Sequence, residues 1–180
     1  TPMVAWIARF LRNQGVRVTL ISRGYGAEAG SRNDEAVELE RKLPDVPHLQ
    51  DPDRIAAAAI AIEELGCQMI LLDDAFQHRR IHRDLDVVLI DALEPFGFEH
   101  VFPRGTLREP LSGLRRAHAV VLTRADMIDP EQRNAVRTRV ARLAPHAPWA
   151  EVIHAPHELL AAGGKTEPLD RLRGRPVAAF

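Results

Sequence analysis

The sequence predicts a doubly wound α/β fold, and three observations carry that expectation. Short apolar, β-branched runs alternate with helical patterns along the chain, as strands and crossover helices of a parallel sheet do. The run Met69–Leu72 is continuously apolar, as strands buried on both faces are. The runs end in polar or acidic residues, Asp73-Asp74, Asp91 and Thr123-Arg124-Ala125-Asp126, and open α/β sheets bind ligands beyond the carboxyl ends of their strands. At 180 residues without repeats or low-complexity tracts, the chain is expected to be a single α/β domain over 1–180.

The elements follow in order. Val4, Ile7, Ala8 and Leu11 recur at helical spacing behind Pro2, a residue suited to a first turn. Val16 to Ile21 is short and β-rich, hence a strand; Asn33 to Lys42 reads as a short helix. Asp51-Pro52 supplies an N-cap and first-turn proline for a helix that stops at Gly66. Strands are expected at Met69–Asp73, Val87–Ile90, Ala119–Leu122 and Trp149–Ile153. Between the second and third of these, Ala92 to Pro110 is a long irregular passage, and such loops tend to be functional. Asp129-Pro130-Glu131 opens a charged helix to Leu143. Thr1-Pro2 runs almost directly into a helix and Pro176–Phe180 looks like a new strand, so truncation at both ends is expected.

Composition bounds the partners. Hydrophobic residues are 46% and charged ones 27%, a soluble globular balance. A net charge of −1 gives no bulk attraction to nucleic acid, which is not an expected partner. Arginines are locally dense, at Arg79, Arg80 and Arg83 and again at Arg104, Arg108, Arg115 and Arg116; they are either solvated surface or a face for an anionic ligand or membrane. The single Cys67 permits no internal disulfide, implies a reducing compartment and reads as a packing residue. No apolar stretch approaches the roughly 20 residues that cross a bilayer.

The most informative segment is Leu71-Leu72-Asp73-Asp74-Ala75-Phe76-Gln77-His78-Arg79. Paired acids at the end of a buried strand are costly without a cation or donors to offset them. They suit a hydrated magnesium ion carrying nucleotide phosphates, and so the metal-binding half of a phosphoryl-transfer site. Ser22-Arg23-Gly24-Tyr25-Gly26 could hold a phosphate against close backbone, although a tight turn explains it equally. Asp34 is a helix N-cap or a general base, which local sequence does not separate. Arg108-Glu109 is a surface ion pair, or a charge-neutralising arginine beside a metal-assisting acid. His78 and His82 have the spacing of zinc ligands on a helix, but no third soft ligand accompanies them and the arginines between would repel a cation. Gly163-Gly164-Lys165-Thr166 is not read as a phosphate loop, because Leu159 stands where the leading glycine belongs.

Taken together, Ser22–Gly26, Asn33–Glu35, Asp73–Arg79 and Arg108–Pro110 resemble the tetraacyldisaccharide 4′-kinase family of lipid A biosynthesis. The order matches, and Asp-Asp-Ala-Phe-Gln-His-Arg followed by Asp84–Asp91 is highly specific to it. The resemblance covers nearly the whole chain, as roughly the middle half of a complete kinase. It implies a mostly parallel sheet of the P-loop NTPase type, an α/β/α sandwich, with ATP and Mg²⁺ as cofactors. Thr1-Pro2 fits the end of the family's Gly-Lys-Thr-Pro loop, so Thr1 would be a magnesium and nucleotide ligand. Asp34 would be the catalytic base, with Asn33 where the family has glycine. Asp73, Asp74 and Glu109 would serve the metal, and Arg108 and Glu109 catalysis. Ser22, Arg23, Gly24, Gln77 and His78 would line the nucleotide. The family's histidine partner of the base is not assigned to His146, His154 or His157. The implied reaction moves the γ-phosphoryl group to the 4′-hydroxyl of an anionic tetraacyl glucosamine disaccharide 1-phosphate, at the cytoplasmic face of the bacterial inner membrane. Residues 1–180 alone are expected to show negligible turnover.

Two alternatives stay open. Thr123–Asp126 is faintly similar to the base-reading Thr/Asn-Lys-x-Asp of other P-loop ATPases and GTPases, and a non-catalytic binding remnant is the other.

Overall fold

The strand Val18–Ser22 (β1) is the middle strand of the first sheet, paired in parallel with His48–Gln50 (β2) on one side and Met69–Leu72 (β3) on the other. The computed structural model describes residues 2–24, 34–161 and 164–176, without the side chains of residues 34 and 35. It divides into two units, Thr1–Asp84 and Leu85–Phe180.

In the first unit, helices Pro2–Asn13 (α1), Asp34–Lys42 (α2) and Arg54–Glu63 (α3) complete the layers. Alternate residues of β1 face opposite ways. Val18 and Leu20 pack with Ala5 and Ala8 of α1 and Leu39 and Leu43 of α2. Ile21 packs with Ala57, Ala58 and Ala61 of α3. Leu20 and Ile21 are almost wholly buried, and each such side chain contributes about 1.5–3 kcal/mol. The chain leaves β1 through α2 to one edge, then returns through α3 to the opposite edge. Right-handed crossovers in opposite directions put their helices on opposite faces, which makes the sandwich.

The sequence reading is corrected at β3, α3 and β2. The strand β3 is not buried on both faces: Met69 is 41% exposed and Ile70, Leu71 and Leu72 are half-buried, because β3 lies at an edge of its sheet. The N-cap of α3 is Asp53, whose Oδ1 accepts from the N–H groups of Ile55 and Ala56 at 3.1 and 3.3 Å. Asp51 sits ahead of it, accepting from Asp53 N–H at 2.7 Å in a turn, because a residue before proline is disfavoured from entering a helix. The strand β2 was not expected at all; at three residues it is too short to show a period.

In the second unit, Val87–Asp91 (β4), Ala119–Thr123 (β5) and Trp149–Glu151 (β6) form a parallel sheet in that order. Helix Pro130–Leu143 (α4) buries Val136 and Val140 in one cluster with Ile90, Val120 and Leu122. Its start is an Asp129–Gln132 capping box with proline in the first turn. The passage from 92 to 110 contains no regular strand but is internally bonded: Phe102 N–H donates to Leu107 C=O, Thr106 N–H to Gly97 C=O and Leu107 N–H to His100 C=O. A six-residue 3₁₀ helix, Leu111–Arg116, follows. Leu159–Leu160 (β7) and Thr166–Glu167 (β8) pair antiparallel. The strand expected at 176–180 falls, beyond Pro176, outside the described residues. Among the described residues no helix is long and apolar enough to cross a membrane.

Candidate nucleotide and metal site

The order β2-β1-β3 makes β1 a switch point, since chain direction across the sheet reverses there, and ligands of open α/β sheets bind beyond the strand ends at such a point. Ser22 closes β1 and Asp73 follows β3. Ile21 and Leu72 are in register, and Asp73 N–H donates to Ile21 C=O at 2.9 Å. The hydroxyl turn and the two-acid turn therefore leave the sheet side by side.

On the β1 side, Ser22 Oγ lies 2.9 Å from His48 Nε2 and accepts from Gln50 Nε2 at 3.4 Å. Its carbonyl accepts from Asp51 N–H at 3.1 Å. Gly24 has φ +70°, and a Cβ there would meet Gln50 Cβ at 3.4 Å; a larger residue would be strained. Arg23 is exposed. Neither His48 nor Gln50 was legible as a site residue, because β2 itself was not.

On the β3 side, Asp73 is half-buried and Asp74 exposed, the latter at φ 49°, a left-handed conformation that aspartate tolerates better than most residues. The following turn is tied by His78 N–H to Ala75 C=O at 2.8 Å. Arg83 Nη1 donates to Ile81 C=O at 3.1 Å and also to His78 C=O. Arg83 thus braces this turn. Gln77 is exposed and His78 half-buried.

Beneath the acids lies Arg54, 5% exposed. Its Nη2 donates to Asp74 C=O at 3.1 Å and to Asp73 C=O at 3.4 Å. Sequence reasoning missed it, although a signal existed: Arg54, Ala57, Ala58 and Ala61 form one helical face, and all four are buried.

In the second unit, Arg116 Nη2 donates to both oxygens of Glu109, at 2.9 and 2.7 Å. Arg108 is exposed beside it. Glu109 is thus paired with Arg116, a residue the sequence reading did not connect to it. Asp91 ends β4 and accepts from Arg124 Nε at 2.9 Å, with a second contact to Nη2. That hydrogen bond, with the Leu93 N–H at 3.1 Å, holds the Asp91 carboxyl below its ordinary 3.8. In a base-reading motif Arg124 would be the lysine; here it is turned to Asp91, which argues against that alternative.

Asp34 opens α2, but its side chain, like Thr1, Tyr25, Gly26 and Asn33, lies outside the described residues. The first unit thus brings together Ser22, Gly24, Asp73 and Asp74, with Gln77 and His78 in the next turn. Arg108 and Glu109 belong to the second unit. Hard carboxylate oxygens at a switch point fit a hydrated divalent magnesium ion.

A parallel sheet between helices, with a glycine turn and an acid pair at its switch point, is an α/β fold of the P-loop kinase type. The family model described as tetraacyldisaccharide-1-P 4′-kinase (LpxK) matches residues 1–180, and the chain belongs to that family. It is 43% identical over 197 residues to the tetraacyldisaccharide 4′-kinase of Anaeromyxobacter sp. (strain K), covering 100% of this chain and 52% of that protein. Against the same-named protein of Syntrophobacter fumaroxidans it is 37% identical over 197 residues, covering 100% and 51%. The chain spans about half the length of the curated relatives it matches. The crystal structure of the "apo" form of LpxK from Aquifex aeolicus in complex with ATP superposes with a TM-score of 0.67 at 25% identity, covering 97% of this chain and 56% of that one.

Proposed function

We propose that this chain is the nucleotide- and metal-binding part of a kinase that transfers the ATP γ-phosphoryl group to the 4′-hydroxyl of a tetraacyl glucosamine disaccharide 1-phosphate in lipid A biosynthesis. The observation that carries the reading is the Ser22 turn set against the Asp73–Asp74 turn at the β1–β3 switch point, in a chain whose relatives are named for that reaction. The ATP in the Aquifex aeolicus structure supports the choice of nucleotide. The family match over 1–180 supports one kinase core domain made of the two units.

The residues divide the work by their chemistry. Asp73 and Asp74 would hold Mg²⁺, with Thr1 and Glu109 as further oxygen ligands. Magnesium, when bound, supplies charge neutralisation on the phosphate oxygens. Ser22, Arg23 and Gly24 would lie along the phosphates, the glycine allowing close backbone approach, with Gln77 and His78 beside the nucleotide. Asp34 would accept the proton of the sugar hydroxyl. Arg108 would spread charge on the transferring group.

The lipid substrate is anionic, and the exposed Arg79, Arg80, Arg104, Arg108 and Arg115 suit the cytoplasmic leaflet of the inner membrane. Phe98 and Phe102, 65% and 79% exposed in the same passage as Arg104, add apolar contact for acyl chains. Arg83 and Arg116 leave this group, being half-buried.

The test is phosphoryl transfer from labelled ATP to the disaccharide lipid in mixed micelles by the full-length protein and its Asp34→Asn and Asp73→Asn variants. Turnover should fall by about a hundredfold or more in each, with ATP binding little changed in Asp34→Asn. Undiminished turnover in Asp34→Asn removes that residue from the mechanism, and in Asp73→Asn it removes the metal assignment.

A further inference from the structure

We propose that Arg54 is a positioning residue of the catalytic machinery, which fixes the backbone of the two-acid turn so that Asp73 and Asp74 can share one divalent cation. This rests on the metal reading of Asp73 and Asp74 given above.

Arg54 is the first residue of α3 and is 5% exposed, on a helix whose other buried residues are alanines. A guanidinium is among the costliest groups to bury, and a helix that needed only packing would carry an apolar residue there. Its Nη2 spans the carbonyls of Asp74 and Asp73, at 3.1 and 3.4 Å. Those carbonyls belong to the peptides that set the direction of both carboxylates. Asp74 stands at φ 49°, an uncommon conformation that aspartate tolerates, and the Arg54 hydrogen bond to its carbonyl helps to fix it there. The two N–H bonds of Nη2 are held in the guanidinium plane and can reach two adjacent carbonyls at once, whereas a lysine ammonium is a single flexible point. Arg54 is itself fixed from behind, since Asp53 caps the same helix turn. A rigid helix start thereby sets the geometry of a metal site one layer away, without touching the metal.

The experiment measures Mn²⁺ binding in the presence of ATP by electron paramagnetic resonance, together with the Mg²⁺ dependence of turnover, on the full-length protein. The variants are Arg54→Met, Arg54→Lys and Asp73→Asn. Arg54→Met should weaken Mn²⁺ binding about tenfold and raise the half-saturating Mg²⁺ by a similar factor, with KM for the lipid unchanged. Arg54→Lys should recover only part of the loss. A general packing role would instead lower the amount of folded protein and leave the affinity of the folded fraction as it was. Wild-type Mn²⁺ affinity in whichever Arg54 variant folds overturns the proposal, and so does unfolding of both by circular dichroism, which would make Arg54 a residue of the fold. Asp73→Asn separates the two readings: if it retains Mn²⁺ binding, the acid-pair assignment fails, whereas its loss beside unaffected Arg54 variants sinks only the inference about Arg54.

Discussion

The carboxylate of Glu109 fills the space that a side chain at residue 113 would occupy: a Cβ on Gly113 would lie 2.6 Å from Glu109 Oε2 and 2.8 Å from its Cδ. Absence of that Cβ lets the Glu109–Arg116 bridge close against the 3₁₀ helix. Gly113→Ala should push the carboxylate aside at little cost in stability, under about 1 kcal/mol, because the end of a glutamate side chain can swing away and a partly exposed ion pair is worth little. Turnover of the full-length kinase should nevertheless fall about tenfold or more. A variant with a displaced Glu109 in its crystal structure and normal turnover would take Glu109 out of the site.

Gly105 presents the opposite case. A Cβ there would stand 2.2 Å from the carbonyl oxygens of both Gly97 and His100, and backbone cannot step aside as a side chain does. Gly105→Ala should destabilise by about 1–3 kcal/mol or more, read as a lower urea midpoint. An unchanged midpoint would mean that the 92–110 passage repacks freely.

Asp129 accepts from Gln132 N–H at 2.8 Å while Gln132 Oε1 accepts from Asp129 N–H at 3.1 Å. Asp129→Ala removes the side-chain half of this box and should cost about 1 kcal/mol. Thermal denaturation measures it, with Asp129→Ser expected to restore most of the loss.

The Asp91–Arg124 pair predicts a pH dependence with a definite sign. The Arg124 hydrogen bond lowers the folded pKa of Asp91 below its ordinary 3.8. Its contribution is therefore complete above the unfolded pKa and is lost as pH falls through the lower folded value. Both side chains are about two-fifths exposed, 40% and 41%, so screening keeps the contribution under about 1 kcal/mol. The difference in urea midpoint between wild type and Asp91→Asn should be seen near neutral pH and shrink below about pH 4. A difference independent of pH would assign the effect of the substitution to something other than this charge pair.

Local chemistry explains which parts of this architecture could be read in advance. Met69–Leu72 ending in Asp73 announces a strand and the acids that follow it because apolar run and acids are adjacent in sequence, but not its burial, since Met69 is 41% exposed and the other three residues are half-buried. Asp129-Pro130 announces α4 because a cap acts within one turn. Asp51 was mistaken for Asp53 because two aspartates flank one proline, and only the hydrogen bonds distinguish an N-cap from the turn preceding it. His48 and Gln50 were invisible as neighbours of Ser22, since their strand owes its existence to pairing with β1 rather than to its own three residues. Glu109 could not be read as the partner of Arg116, a contact that spans the 3₁₀ helix Leu111–Arg116. Arg54 was the one signal present and overlooked: a charge at the head of an otherwise alanine face.

The adjacency of β1 and β3 has a consequence for how the protein is born. Ser22 and Asp73 are neighbours in the sheet, yet α2, β2 and α3 lie between them in the chain. At ribosomal speeds of about 5–20 residues per second, the Ser22 turn is made roughly 3–10 s before the acids that accompany it. Until then one edge of β1 has no β3 to pair with, and the apolar Ile21 and Leu20 depend on helices alone for cover. A peptide carrying only the acidic motif would reproduce its chemistry but not its position. The half-site is therefore complete only once β3 has been made and has paired with β1.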